Sequence, residues 1–164
     1  MAKRKFKRLG LGGTFDLLHR GHKHVLKLAF QLADRVVLGL STDRLAAQLK
    51  GRPVTPLEER RRRLEEFLRD EGFLRRVEFE IIDDRLGTAV EDPEMDGLLV
   101  SVENRKLGEA VNEERAKRGL KPLEVVVFEK VLAEDGKPIS ASRIRAGEID
   151  EEGKIKGGGE PSKK

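Results

Sequence analysis

Short apolar runs alternate along this chain with segments whose apolar residues recur at helical spacing. The runs predict five strands, at residues 7–12, 35–41, 77–82, 97–101 and 124–128. The second run, RVVLGLS, is β-branched and almost continuously apolar, which is typical of a parallel strand buried on both faces. The spacing of the strands leaves room for a helix or a long loop between each pair.

Helices are predicted in several of these intervals. Val25, Leu28, Ala29 and Leu32 share one helical face, which predicts an amphipathic helix starting from Gly21. Proline and glycine punctuation and polar periodicity predict further helices at residues 56–70 and 108–118, and the first turns of another at residues 140–146.

The alternation of strands and helices determines the predicted fold. It implies a parallel sheet with right-handed crossovers, so we predict a doubly wound, five-stranded, Rossmann-like α/β domain over residues 1–150. From Glu148 onward the chain is charged and glycine-rich with almost nothing to bury, and residues 151–164 are predicted to form a flexible tail. In such a sheet, ligands bind beyond the carboxyl ends of the strands.

Composition narrows the class of protein. Charged residues make up 39% of the 164 residues, and cysteine is absent, which excludes disulfides and thiol catalysis. No apolar stretch is long enough to cross a membrane and no signal peptide follows the basic start, so we expect a cytoplasmic protein without a membrane partner. The net charge of +4 suits either nucleic acid or a phosphorylated small molecule. The lack of Tyr and Trp argues against binding of single-stranded nucleic acid.

The most basic run of the chain is Arg60 to Arg63. Glutamates lie four residues before and after members of this run, the spacing of ion pairs along a helix. We therefore expect a solvated, ion-paired helix face rather than a binding site.

The segment GGTFDLLHRGHKHVL, residues 12–26, places His19 and His22 where the first strand gives way to a helix. It lacks the lysine of a P-loop and the third glycine of a dinucleotide fingerprint. A helix start offers free N–H groups for phosphate, an imidazole adds a donor, and Gly21 allows close approach of the backbone. The alternatives are a helix cap and a zinc site, and His24 is expected to be a surface or packing residue.

Two other polar segments follow strands, SVENRK after the fourth and ISASRIR beyond the fifth. The first-loop residues Gly13 to Asp16 and His19-x-Gly21-His22, together with ISASRIR, resemble the HxGH nucleotidyltransferase superfamily. Up to about Asp150 the chain is similar to the archaeal phosphopantetheine adenylyltransferases. It departs from their usual pattern at Asn104, where they carry threonine, and at Ala141-Ser142, where they carry Ser-Thr.

This resemblance implies transfer of AMP from ATP, with Mg2+, to 4′-phosphopantetheine, giving dephospho-CoA and pyrophosphate. Catalytic roles fall to His22, which would donate to the α-phosphate, and to His19. The implied nucleotide-binding residues are Gly12, Gly13, Thr14, Phe15, His19, Gly21, His22, Ser140, Ala141, Ser142 and Arg145. The implied acceptor-binding residues are Thr14, Asp16 and either Lys50 or Arg52.

The same resemblance leaves other members of the superfamily open as alternatives, namely a cytidylyltransferase or an adenylyltransferase that forms FAD or NAD. No metal site made of protein side chains is implied. We expect no nucleic-acid partner, and a monomer is favoured.

Overall fold

The computed structural model describes residues 4–156, and all five predicted strands are present in one sheet. They are β1 (Phe6–Gly13), β2 (Ala33–Ser41), β3 (Val77–Ile82), β4 (Gly97–Ser101) and β5 (Glu124–Phe128). The spatial order is β3-β2-β1-β4-β5, and every neighbouring pair is parallel. The winding direction reverses between β1 and β4, which confirms the doubly wound fold and places the switch point there.

Within the described residues, the α-helices are α1 (Arg20–Leu32), α2 (Asp43–Lys50), α3 (Leu57–Asp70), α4 (Arg105–Lys117) and, after the last strand, α5 (Ala141–Arg145). Apolar residues of α1 and α3 pack on β1 and β2 in one core, and Val111 of α4 packs with residues of β4 in a second. Within residues 4–156, no helix has the length and apolarity needed to span a bilayer.

One helix was not predicted. α2 has only eight residues and buries only Leu45 and Ala46, so its periodicity is weak. Its ends do carry signals: the Thr42 hydroxyl accepts a hydrogen bond from the Leu45 N–H at 3.1 Å, and Gly51 closes the helix with a φ of 73°. This helix matters because it brings Lys50 to the carboxyl edge of the sheet.

The expectation for the arginine run is wrong at its first residue. Arg60 is only 1% exposed, and its guanidinium donates to the Thr14 carbonyl at 2.9 Å, the Thr55 carbonyl at 2.6 Å and the Asp43 carboxylate at 2.8 Å. Residues 61–63 form the expected ion pairs with glutamates of the same helix. Through its hydrogen bond to the Thr14 carbonyl, Arg60 therefore stabilises the loop after β1.

The prediction of an unstructured C-terminal segment is also wrong as far as residue 156. Ile149 is fully buried against Ala133 and Ile139, and it forms an antiparallel bridge with Ile155. The carbonyl of Glu151 accepts a hydrogen bond of 2.9 Å from the N–H of Arg20, the first residue of α1. These residues, 148–156, form a C-terminal hairpin, and the remainder of the predicted tail lies outside the described residues.

Candidate active site

A cleft of about 450 Å³ lies at the carboxyl ends of β1, β2 and β4, at the switch point of the sheet. Gly12, Gly13 and Thr14 line it, as the sequence predicts, and Lys50 and Ser101 contribute further polar groups. Much of the remaining lining is apolar. The cleft therefore combines an extended apolar wall with a small number of polar groups, as small-molecule sites do.

His19 and His22 together cap the start of α1, and neither of them lines the cleft itself, although Thr14 of the preceding loop does. His19 is the N-cap residue: its Nδ1 accepts from the N–H groups of Gly21 at 3.1 Å and His22 at 3.3 Å. His22 reciprocates, because its Nδ1 accepts from the N–H of His19 at 3.4 Å. The two rings stack with centroids 3.7 Å apart. The capping alternative is thus confirmed for both residues.

The capping hydrogen bonds use Nδ1 of each imidazole and do not involve Nε2. Burial, and then the positive charges of Lys130 and Lys50, lower the pKa of His19 to about 4. Burial, and then the neighbouring His19 and Lys50, lower the pKa of His22 to about 3. Both rings are therefore neutral at pH 7, and since Nδ1 accepts in each, the proton resides on Nε2. The pair carries two uncharged N–H groups, and a hydrogen bond to the Leu17 backbone opposes the lowering of the pKa of His22.

This burial makes a prediction about stability. Between the ordinary histidine pKa of about 6.5 and the lowered values, the unfolded chain binds protons that the folded chain excludes. We therefore expect the free energy of unfolding to fall as the pH drops from about 6.5 towards 4. Urea denaturation at pH 7 and at pH 4.5 measures this slope. The double variant His19→Asn/His22→Asn should lose much of the slope, whereas His24→Asn, an exposed substitution on α1, should keep it.

Two glycines of the motif make room for side chains of the site itself. A Cβ at Gly21 would lie 2.9 Å from Cε1 of His19, which is too close. The His19 ring can therefore pack against the start of α1 only if residue 21 is glycine. A Cβ at Gly13 would lie 2.8 Å from the ring of Phe15. Phe15 is buried with a φ of 52°, and its ring lies 4.9 Å from that of His22. Phe15 thus packs beside the imidazole of His22.

Asp16 is the centre of a buried ion cluster. Its carboxylate is 2% exposed and accepts from Arg145 Nε at 3.1 Å and Nη2 at 2.9 Å, from Arg52 Nη1 at 2.9 Å and from the Thr55 N–H at 2.8 Å. Burial alone would raise the pKa of Asp16, but the donors from Arg145, Thr55 and Arg52 lower it well below its usual range. Asp16 is therefore ionised, and its carboxylate oxygens are hydrogen-bonded to Arg52 and Arg145 rather than open to a substrate.

The Asp16 cluster also positions the second motif. Arg145 lies at the end of α5, so its pair with Asp16 joins that helix to the loop after β1. Ser140 caps α5 by accepting from the Arg143 N–H at 3.2 Å, Ala141 is buried, and Ser142 is exposed. The structure thus brings the two motifs of the sequence together, and the phosphate-binding roles of these residues stay predictions.

The two candidates for the acceptor phosphate differ in their surroundings. Lys50 lines the cleft together with Thr14, whose hydroxyl lies 3.1 Å from that of Ser41. Burial, and then the charges of Lys130 and Arg52, lower the pKa of Lys50. Arg52 is instead held by Asp16 and does not line the cleft. This difference favours Lys50.

Sequence reasoning singled out the segment SVENRK, which contains Glu103, without assigning that residue a role, and it missed Lys130 at the same edge. Lys130 and Glu103 form an ion pair of 2.8 Å, and each lies two residues beyond the end of its strand, β5 or β4. That position was the available signal, because the carboxyl ends of parallel strands form the site. Within the described part of the chain, no group of three or more His, Cys, Asp or Glu could hold a metal ion.

Comparison with known proteins shows the family of this chain. The model of the cytidylyltransferase-like family matches residues 11–147. The chain is 45% identical over 147 residues to the phosphopantetheine adenylyltransferase of Methanopyrus kandleri, covering 90% of this chain and 93% of that protein. It is 38% identical over 155 residues to the enzyme of the same name from Methanothermobacter thermautotrophicus, covering 93% and 92%. A protein of unknown function from Archaeoglobus fulgidus superposes with a TM-score of 0.67 at 25% identity, covering 81% and 99%.

Proposed function

Because this chain belongs to the cytidylyltransferase-like family and, within it, to the phosphopantetheine adenylyltransferases, we propose that its cleft transfers an adenylyl group from ATP to 4′-phosphopantetheine. The products are dephospho-CoA and pyrophosphate, and the reaction belongs to the biosynthesis of coenzyme A. The observation that carries the assignment of this reaction to the cleft is the pair of neutral Nε2–H donors beside it.

The chemistry suits a site of this kind. An oxygen of the acceptor phosphate, already ionised at pH 7, attacks the α-phosphorus of ATP, and the bond from that phosphorus to the bridging oxygen breaks as pyrophosphate leaves. No base is needed to activate the nucleophile. Catalysis then rests on positioning and on charge stabilisation. In this proposal, Nε2–H of His22 donates to the α-phosphate as its charge grows, and His19 lines the phosphates.

The other predicted binding residues divide between the two substrates: Lys50 and Thr14 line the cleft, whereas Ser140, Ser142 and Arg145 lie outside its lining, at the start and end of α5. We assign the acceptor phosphate to Lys50 and Thr14, and the β- and γ-phosphates to Ser140, Ser142 and Arg145. The apolar wall of the cleft favours an acceptor with a long uncharged arm over the phosphorylated alcohols of cytidylyltransferases. This supports 4′-phosphopantetheine over the acceptors of that alternative.

Mg2+ is proposed to arrive with ATP. The described residues contain no carboxylate cluster that would hold it independently, and the carboxylate nearest the motif, Asp16, is occupied by arginines. Bound to the phosphates, Mg2+ would neutralise part of the charge of the leaving pyrophosphate. The cytoplasmic location, the monomeric state and the lack of a nucleic-acid partner stay predictions from the sequence.

Pyrophosphate release tests this function. We expect release with Mg2+, ATP and 4′-phosphopantetheine together, and none when either substrate is omitted. CTP in place of ATP should give no more than background. Release with CTP, or with another phosphorylated acceptor in place of phosphopantetheine, would favour the alternatives and contradict the proposed substrates.

A further inference from the structure

Lys130 and Glu103 face each other across the carboxyl ends of β5 and β4. Ser101 and Phe128 are paired in the register of these strands, and each charged residue lies two positions beyond its member of that pair. Lys130 Nζ lies 2.8 Å from Glu103 Oε1, with the two side chains 44% and 65% exposed. The pair therefore stands at the edge of the sheet where ligands bind, and solvent reaches both groups.

This edge is continuous with the active-site cleft. Ser101 and Phe128, the strand residues from which the pair extends, both line the cleft. The charge of Lys130 also reaches the catalytic groups: after burial, it is the largest contribution that lowers the pKa of His19 and of Lys50. Lys130 does not itself line the cleft, but its ammonium lies within electrostatic range of His19 and of the cleft residue Lys50.

The pair has the properties of an exchangeable contact. An exposed ion pair contributes little to stability, so a competing anion displaces one partner at small cost. Lysine carries a compact charge on a flexible four-carbon stem, which lets its ammonium move between acceptors. A polyphosphate carries more negative charge than a single carboxylate and forms charge-assisted hydrogen bonds with such a group.

We propose that Lys130 is a further phosphate-binding residue of this reaction, whose ammonium exchanges Glu103 for the phosphate chain of ATP when the nucleotide binds. The inference rests on the proposed function and adds a residue to it. In this scheme Glu103 keeps the lysine at the edge of the cleft and receives it again when pyrophosphate leaves.

Binding measurements on four proteins test this exchange. Calorimetry with ATP and Mg2+, in the absence of acceptor, compares the wild type with Lys130→Gln, Glu103→Gln and the double variant. We expect Lys130→Gln to weaken ATP binding about tenfold or more, as loss of a charge-assisted contact does. Glu103→Gln should not weaken it, and the loss caused by Lys130→Gln should persist when Glu103 is already replaced.

The matched control is Lys5→Gln. Lys5 forms a similar exposed pair with Glu124, at 2.7 Å, at the opposite end of the same sheet. The Lys5→Gln substitution removes the same charge and breaks the same kind of ion pair. ATP binding by this variant should stay within twofold of the wild type. A tenfold loss in this control would mean that net charge, rather than position, accounts for the result, and would overturn the proposal.

Other outcomes would also overturn it. Equal losses in Lys130→Gln and Glu103→Gln, with no further loss in the double variant, would make the pair purely structural. In a parallel titration with 4′-phosphopantetheine alone, a loss in Lys130→Gln that ATP binding does not share would assign Lys130 to the acceptor. If Lys130→Gln bound ATP as tightly as the wild type does, this inference alone would be disproved. If the wild type bound no ATP, the proposed function would be disproved as well.

Discussion

Replacement of His22 by asparagine is expected to lower kcat by about two to three powers of ten, the loss seen when one donor to a developing charge is removed. Asparagine keeps an acceptor at the position of Nδ1, so the contact that caps α1 survives. It has no donor at the position of Nε2. Turnover measured by pyrophosphate release should therefore collapse, while the melting temperature changes little.

A second substitution separates donation from capping. Glutamine at position 22 places an N–H near the position of Nε2 but loses the cap, so His22→Gln should retain more activity than His22→Asn and less stability. His24→Asn is the control, because His24 is exposed on the same helix. If His22→Asn turned over at the wild-type rate while still binding ATP, donation from His22 would be disproved.

The largest effect on stability is expected from Asp16→Asn. This change removes the charge around which Arg52, Arg145 and the Thr55 N–H are arranged, and it leaves two arginines facing each other. Removal of one partner from a buried ion pair costs about 3–5 kcal/mol. We expect the lower end of that range, because both arginines can reach water. Urea denaturation at pH 7 gives the free energy of unfolding.

Asp83→Asn provides the matched comparison, since Asp83 pairs with Arg44 at 2.9 Å on the exposed surface. That change should cost less than about 1 kcal/mol. The pH dependence gives an independent check. Because the pKa of Asp16 is lowered on folding, its contribution is complete above the unfolded value of about 3.9 and is lost as the pH falls below it. Similar losses in the two variants, or an unchanged acid limb in Asp16→Asn, would refute the role of the cluster.

Much of the fold could be predicted because its signals are local. Strands β3, β4 and β5 have the predicted bounds, since a short apolar run between polar segments has few other ways to be buried. The same logic could have identified Arg60. It precedes Leu64 and Leu68 by four and eight residues, so it shares the buried face of α3 with them. Because all four residues of the run Arg60 to Arg63 are charged, the sequence favoured an exposed face for each of them, and this spacing was not used.

The C-terminal hairpin and the Asp16 cluster had no comparable signal. Ile149 and Ile155 are isolated apolar residues in a charged segment, and only their tertiary contacts show that the segment folds. Nothing near Asp16 in the sequence indicates that its partners lie in α5 and in the loop after α2. The motifs identified the residues of the site, but the ion pairs that connect those motifs are long-range contacts.

The Asp16–Arg145 contact has a consequence for how the protein is made. These residues are separated by 129 positions, so a ribosome must extend the chain well beyond the first motif before the pair can form. Because translation adds about 5–20 residues per second, Arg145 is synthesised on the order of ten seconds after Asp16. A nascent chain therefore holds the first motif without the second, and the Asp16 cluster is complete only after Arg145 has been synthesised.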